Sequence, residues 1–217
     1  MGLAGWVLLP LLAVAVLGVA SALAVAAWLG APTAGPPIGV YAAPRTALLV
    51  VDIQEDYTGP SARKRFCDGD RIVAAANTLI AQAQARNALV VYVQNVFANP
   101  LLSRLMGGLN LPGAPGTAMD RRLKSVPGAP TFAKTRGDAF GNPALDEYLR
   151  QNQVDRLLLV GLDGAHCVNS TARGALNRGY RVVLLEDGIA TESGKSIAEL
   201  ARRWRAAGAT VLPRMEW

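Results

Sequence analysis

Short apolar runs recur along the chain after residue 45, and segments with helical periodicity separate them. Residues 47–52, 88–94, 156–161, 181–186 and 209–212 are rich in Val, Leu and Ile and have the length of strands. Residues 130–134 add a shorter β-prone run. The runs are continuous rather than alternating, as expected for strands covered on both faces of a parallel sheet. Asp70 reads as the cap of a helix whose Ile72, Ala76, Leu79, Ile80 and Ala83 share one face. Asn142-Pro143 opens a second helix, residues 168–178 form a third, and 194–207 a fourth. Strands alternating with helices predict an α/β fold, a three-layer α/β/α sandwich with a mainly parallel, Rossmann-like sheet. Residues 99–128 are rich in Gly and Pro and read as a long loop with one short helix around 117–123. Loops of that length often lie over a site.

The first 30 residues follow a different pattern. Leu3 to Leu29 is apolar throughout, longer than the roughly 20 residues that cross a bilayer. Trp6 and Trp28 stand near its ends, as interfacial aromatics do. This predicts one N-terminal transmembrane helix (residues 1–30), then a Pro/Gly/Ala linker (31–44), then a catalytic domain (45–217). A cleavable signal peptide is the alternative, with Ala22-Leu23-Ala24 as a cleavage-like site, but the segment lacks a basic start and is too long. Positive charge follows the apolar segment, so the expected product is a single-pass membrane protein with its domain in the cytoplasm. A periplasmic or secreted domain is the other outcome.

Charge is confined to the rest of the chain. All 22 Lys and Arg and all 16 Asp and Glu lie from Arg45 onward, for a net charge of +6 over 217 residues. Arg63-Lys64-Arg65 and Arg202-Arg203-Trp204-Arg205 are local basic clusters. They read as solvated helix faces, or as contacts to anionic lipid. No nucleic-acid-binding motif accompanies them.

Three positions carry candidate chemistry. Cys167 lies where the run 156–160 gives way, through Gly161 and Gly164, to a helical pattern. Helix N-termini stabilise thiolates, although a small buried cysteine is also a common core residue. Asp52 ends the run Ala47-Leu-Leu-Val-Val-Asp52, at the strand edge where open α/β sheets bind ligands. Lys134 ends the run in Pro130-Thr-Phe-Ala-Lys134. Alone, Asp52 could be a loop acid and Lys134 a surface lysine.

Together, over residues 45–213, this ordered set resembles the isochorismatase-like cysteine hydrolases. The resemblance rests on the strand into Asp52-Ile-Gln-Glu-Asp-Tyr57, the Lys134 segment ending in Asp-Ala-Phe140, and Gly161 to Tyr180. It implies an Asp52–Lys134–Cys167 triad in which Cys167 attacks an electrophilic carbon, Asp52 carries protons, and Lys134 favours both anions. It also implies an oxyanion hole from the backbone N–H groups of Asp163 and Cys167, and a cis peptide between Leu162 and Asp163. The nicotinamidase branch holds a metal through an Asp-x-His set after the second strand. Here that stretch reads Val90-Val-Tyr-Val-Gln-Asn95-Val-Phe97, and His166 is the only histidine. The expectation is therefore no metal and no cofactor.

The metal-free branches act on small amides, ureido or carbamoyl compounds, and sometimes isochorismate. The cysteine favours C–N cleavage. The alternatives are an isochorismatase-type hydrolase and a catalytically silent, membrane-tethered binding protein of the same fold. Tyr57, Phe97, Phe132, Phe140 and His166 are candidate pocket residues, each equally readable as ordinary core or turn. The roles of Cys67 and Asp163 stay open, the latter between capping the helix and selecting substrate. So does assembly into a homo-oligomer.

Overall fold

The computed structural model describes residues 3–97, 99–105 and 107–214. Six strands form one sheet: β1 (Arg45–Val51), β2 (Leu89–Asn95), β3 (Thr131–Lys134), β4 (Val154–Gly161), β5 (Arg181–Ile189) and β6 (Thr210–Leu212). Their order is β3-β2-β1-β4-β5-β6, and every pairing is parallel. Chain order runs outward from β1 to one edge, then returns beside β1 and runs to the other. The reversal between β1 and β4 is the topological switch point, where the connections to the following helices leave toward opposite faces of the sheet and a crevice opens beyond the strand ends.

Alternate residues of each central strand serve two cores. Ala47, Leu49 and Val51 of β1 face one, with Leu157 and Leu159 of β4. Three helices cover that face: α4 (Pro143–Gln151) through Leu145 and Leu149, α5 (Cys167–Leu176) through Val168 and Ala172, and α6 (Ile197–Ala206) through Leu200 and Trp204. Leu48, Val50, Leu158 and Val160 face the other, under Ile72, Ala76, Leu79 and Ile80 of α2 (Gly69–Ala85). A sheet buried on both sides has no polar face, which is why its strands read as unbroken apolar runs.

Several local expectations shift. Asp70 lies inside the first turn of α2, where it pairs with Arg65 and Arg122; the N-cap position belongs to Asp68. The helix expected around 117–123 is replaced by a 3₁₀ turn at Pro115–Thr117. Residues beyond it are extended, because Met119 bridges Gln54 and the Asp120 N–H donates to the Ile53 carbonyl. A short helix α3 (Pro100–Leu105) opens the same loop.

The N-terminal helix α1 spans Leu3–Gly30. The side chains of residues 3–12, 14 and 15 fall outside the described part. Among the described residues no helix is long and apolar enough to cross a membrane. The Pro/Gly/Ala segment after α1 is held against the domain. Asp138 Oδ2 accepts from the Thr33 N–H at 2.6 Å and the Thr33 hydroxyl at 2.7 Å. Arg178 donates to the carbonyls of Thr33 and Ala34, and Arg150 to those of Pro36 and Pro37. Proline-rich chain cannot donate much, but its carbonyls accept, and these two arginines strap it beside α4 and α5.

Candidate active site

Three elements deliver three ionisable groups to one point. Asp52 follows β1 with φ of 55°, a left-handed turn that Asp tolerates better than most residues. Lys134 is the last residue of β3, in register with Asn95 of β2. Cys167 opens α5 just after β4. The turn between β4 and α5 depends on Gly161, which has φ of 123°. A Cβ there would stand 1.9 Å from the Val51 carbonyl oxygen, so β1 and β4 can close together at their ends only with glycine. The Leu162 N–H then donates to that same Val51 carbonyl at 2.9 Å.

Lys134 joins the other two. Its Nζ lies 2.9 Å from Asp52 Oδ2 and donates to Cys167 Sγ at 3.2 Å and to the Arg136 carbonyl at 3.2 Å. Asp52 is 3% exposed and Lys134 1%. Taking charges out of water is costly, and the pair repays it only through close contact. Burial pushes the Asp52 carboxyl above its ordinary range, and Lys134 counters this only in part. Burial also pushes the Cys167 thiol up, to about 12; Lys134 opposes the rise and the Asp52 charge adds to it. Burial works against the Lys134 ammonium, but Asp52 and Cys167 more than offset that and raise it. One cation faces two groups that each favour holding a proton. Cys167 therefore rests as a neutral thiol beside the Lys134 ammonium, with Asp52 and Cys167 titrating as one coupled system. The thiolate expected at a helix N-terminus is thus not the resting form. Burial is the largest cause, and the Asp52 charge adds to it.

Asp52 Oδ1 is buried and has no hydrogen-bond partner. Two more acceptors of the same cavity are buried and unpartnered, Asn95 Oδ1 and Asn110 Oδ1. The cavity has a volume of about 370 Å³ and includes Asp52 and Cys167 in its lining. Tyr57, Phe97 and His166 also line it, as expected. Tyr57 accepts from Asn110 Nδ2 at 2.6 Å, and burial and the Asp52 charge push its phenol up to about 12. Phe132 and Phe140 lie elsewhere. Phe132 packs on Tyr148 at 5.6 Å, and Phe140 packs on Tyr180 at 5.5 Å under the Arg178 guanidinium. Phe140 is buried in the core and Phe132 packs partly buried against it, held by Tyr148 of α4 and by Tyr180 just before β5.

The long loop contributes Leu109 and Asn110 to the cavity. Sequence reading missed these and Asn95, since an isolated Asn carries no periodic signal. The Leu162–Asp163 bond is trans, and the described residues contain no cis peptide. The positive φ of Gly161 makes the turn instead. Asp163 resolves as a turn residue: Oδ1 accepts from the Ala165 N–H and the Thr191 hydroxyl, and Oδ2 from the Glu192 N–H. Within the described residues the backbone N–H groups of Asp163 and Cys167 have no hydrogen-bond acceptor. Cys67 is exposed and does not line the cavity, although its neighbour Phe66 does. At the end of β2, Asn95 and Phe97 offer a neutral amide and a ring, which do not fit a metal ion. Among the described residues no three His, Cys, Asp or Glu side chains gather as ligands.

Comparison with known proteins agrees with this arrangement. Residues 46–215 match the family model described as isochorismatase domain. The chain is 35% identical over 148 residues to streptothricin hydrolase of Streptomyces noursei, covering 68% of this chain and 55% of that protein. It therefore spans about half the length of the streptothricin hydrolases it matches. It is 27% identical over 212 residues to nicotinamidase of Escherichia coli strain K12, covering 80% of this chain and 97% of that one. The crystal structure of N-carbamoylsarcosine amidase from Thermoplasma acidophilum superposes with a TM-score of 0.71 and 27% identity, over 80% of this chain and 99% of that one. With a parallel sheet, an Asp–Lys–Cys cluster at its switch point and a family match over most of its length, the chain belongs to the isochorismatase-like hydrolase family.

Proposed function

We propose that this chain is a cysteine hydrolase that cleaves the C–N bond of a small amide, ureido or carbamoyl compound. One observation carries the reading: Lys134 Nζ lies within 2.9 Å of Asp52 Oδ2 and 3.2 Å of Cys167 Sγ on a cavity wall. The unpartnered Asp52 Oδ1 accepts the thiol proton as Sγ attacks the carbonyl carbon. The tetrahedral oxyanion turns toward the free N–H groups of Asp163 and Cys167. Asp52 passes the proton to the nitrogen, the C–N bond breaks, and the amine leaves. A water then gives a proton to Asp52 and attacks the acyl carbon. The C–S bond breaks, the proton returns to sulfur, and the acid departs. Lys134 keeps one positive charge beside whichever partner is anionic, so no step leaves two buried anions alone.

The substrate class draws support from two sides. Three buried acceptors, on Asp52, Asn95 and Asn110, suit a substrate with several N–H donors, as amides and ureides have. The similar proteins include an N-carbamoylsarcosine amidase and a ureidoacrylate amidohydrolase, which hydrolyse bonds of this type. The test is a screen of primary amides and ureides read by ammonia release, with trapping of the acyl group on Cys167 by mass spectrometry. Release of ammonia without any Cys167 adduct would remove the covalent mechanism.

We also infer that α1 anchors the domain in a membrane, with the domain on the cytoplasmic side. Support comes from its 28 residues without a charge and from Val16, Leu17, Val19, Leu23 and Val25, exposed around the helix. A helix apolar all round needs an apolar surrounding. Carbonate extraction of cell membranes tests the anchor. Recovery of the protein in the soluble fraction with a new N-terminus would favour a cleaved signal.

A further inference from the structure

An α-helix ends in carbonyls that have no partner within it. At the end of α1 those carbonyls are taken by the hydrolase domain. Trp28 O accepts from Arg136 Nη2 at 2.7 Å, Leu29 O from the Gly137 N–H at 2.8 Å, and Gly30 O from Ser170 Oγ at 2.7 Å. The Arg136 guanidinium also lies 4.6 Å over the Trp28 ring, against the negative end of the helix dipole. These donors come from the segment just after Lys134 and from the helix that bears Cys167. The helix end is thus fixed to the two pieces of chain that hold the reacting groups.

That attachment turns part of α1 into active-site wall. Ala26 and Leu29 line the same cavity as Asp52 and Cys167. Of residues 16–30, Leu29 alone is partly buried. Phe66, Phe97 and Leu109 continue the apolar lining. Of the polar groups between them, Arg136 Nη2 and Ser170 bond α1 and Asp163 bonds the 190–193 loop, while Lys64, His166 and the partnerless Arg136 Nε also lie at the lining. The unpartnered acceptors are the buried ones on Asp52, Asn95 and Asn110. The cavity therefore joins a buried end that receives N–H donors to an apolar wall along an exposed helix.

We infer that Ala26 and Leu29 are specificity-determining residues, and that the substrate carries an unbranched apolar substituent that lies against them. This rests on Cys167 as the nucleophile, but not on hydrolysis being the reaction. The test uses the full chain in detergent micelles and a series of iodoacetamides N-substituted with alkyl chains from methyl to octyl. Sulfur displaces iodide, so an S–C bond forms whether or not any amide is hydrolysed. The rate at Cys167, read by mass spectrometry, should rise with each methylene, by up to about fourfold where the group is fully buried. Leu29→Gln should flatten that rise, and Leu29→Met should restore it. Leu101→Gln, at an exposed position outside the cavity lining, should keep the wild-type slope. Ala26→Phe, at an exposed site with room for a larger side chain, should end the rise at a shorter chain. Partition into micelles is common to every variant, so slopes can be compared directly. Equal slopes in wild type, Leu29→Gln and Ala26→Phe would overturn the inference. A Cys167 unreactive toward every reagent would overturn it together with the nucleophile. A chain-length slope without ammonia release from any amide would support the wall and count against hydrolysis.

Discussion

Two buried carboxylates of this protein each face a cation, with opposite results. Asp120 is saturated. Its Oδ1 accepts from the Arg122 N–H and Nε, and its Oδ2 from Arg122 Nη2 and the Thr58 hydroxyl. Burial pushes its carboxyl up, but the bonds from Arg122 and Thr58 outweigh that and hold it below the usual range. Asp52 also has its cation, at 2.9 Å, yet keeps one oxygen with no partner. Burial wins there, and the carboxyl is held above its usual range. A carboxylate with every lone pair occupied fixes structure. One that is buried, paired and still short of a donor is ready to take a proton. The contrast lies in how strongly burial acts on each carboxyl and in the number of donors around it.

The largest effect should come from removing the thiol. Cys167→Ala should abolish turnover and any covalent adduct, measured by ammonia release and mass spectrometry; residual turnover would place the nucleophile elsewhere. Asp52→Asn should slow both adduct formation and its breakdown by about 10²–10⁴-fold, the usual range for a general base. It should also shift the pH profile of Cys167 alkylation downward from its value near 12, because the Asp52 charge is gone and Lys134 remains. A profile that moves upward would break the comparison at its base. Lys134→Met should move the same profile up, since Lys134 is the group that lowers the thiol.

Asp120→Ala should act on stability alone. It leaves the Arg122 and Thr58 donors without their acceptor, at a cost of about 1–3 kcal/mol in urea unfolding. Turnover per folded molecule should stay at the wild-type level. A loss of kcat in that variant would mean the two carboxylates differ less than their surroundings suggest. The last effect concerns alkaline stability. The folded thiol of Cys167 holds its proton to about 12, whereas the unfolded thiol releases it near 9. The unfolded state therefore binds fewer protons in that window, and stability falls as pH rises from 9 toward 12. Thermal scans should show a shallower fall for Cys167→Ala than for wild type.

Much of this was legible in the sequence, for reasons that differ by region. β1 and β4 were readable because strands with two covered faces leave continuous Leu and Val runs. Asp52 and Cys167 followed, since a residue just past such a run stands at the sheet edge. Lys134 needed the family resemblance as well, because β3 is only four residues long. Phe132 and Phe140 could not be sorted from pocket residues, because an aromatic in a loop looks the same against Tyr148 or against a substrate. The extended course of residues 118–120 depends on pairing with Ile53 and Gln54, some 65 residues earlier, which local pattern does not register. The strap was the largest omission. Its bonds are made by backbone carbonyls of Thr33, Ala34, Pro36 and Pro37, which every sequence has, to arginines more than 100 residues away.

That strap separates two definitions of the same domain. The family match begins at residue 46. Hydrogen bonds to the segment beside Lys134 begin at Trp28. A fragment cut at the boundary of descent would keep every residue shared with the family. It would also leave Asp138 without its two Thr33 donors and Arg136 without the carbonyls it caps. The family match and the bonded unit differ here by a stretch of some 18 residues, and Lys134 sits beside the difference.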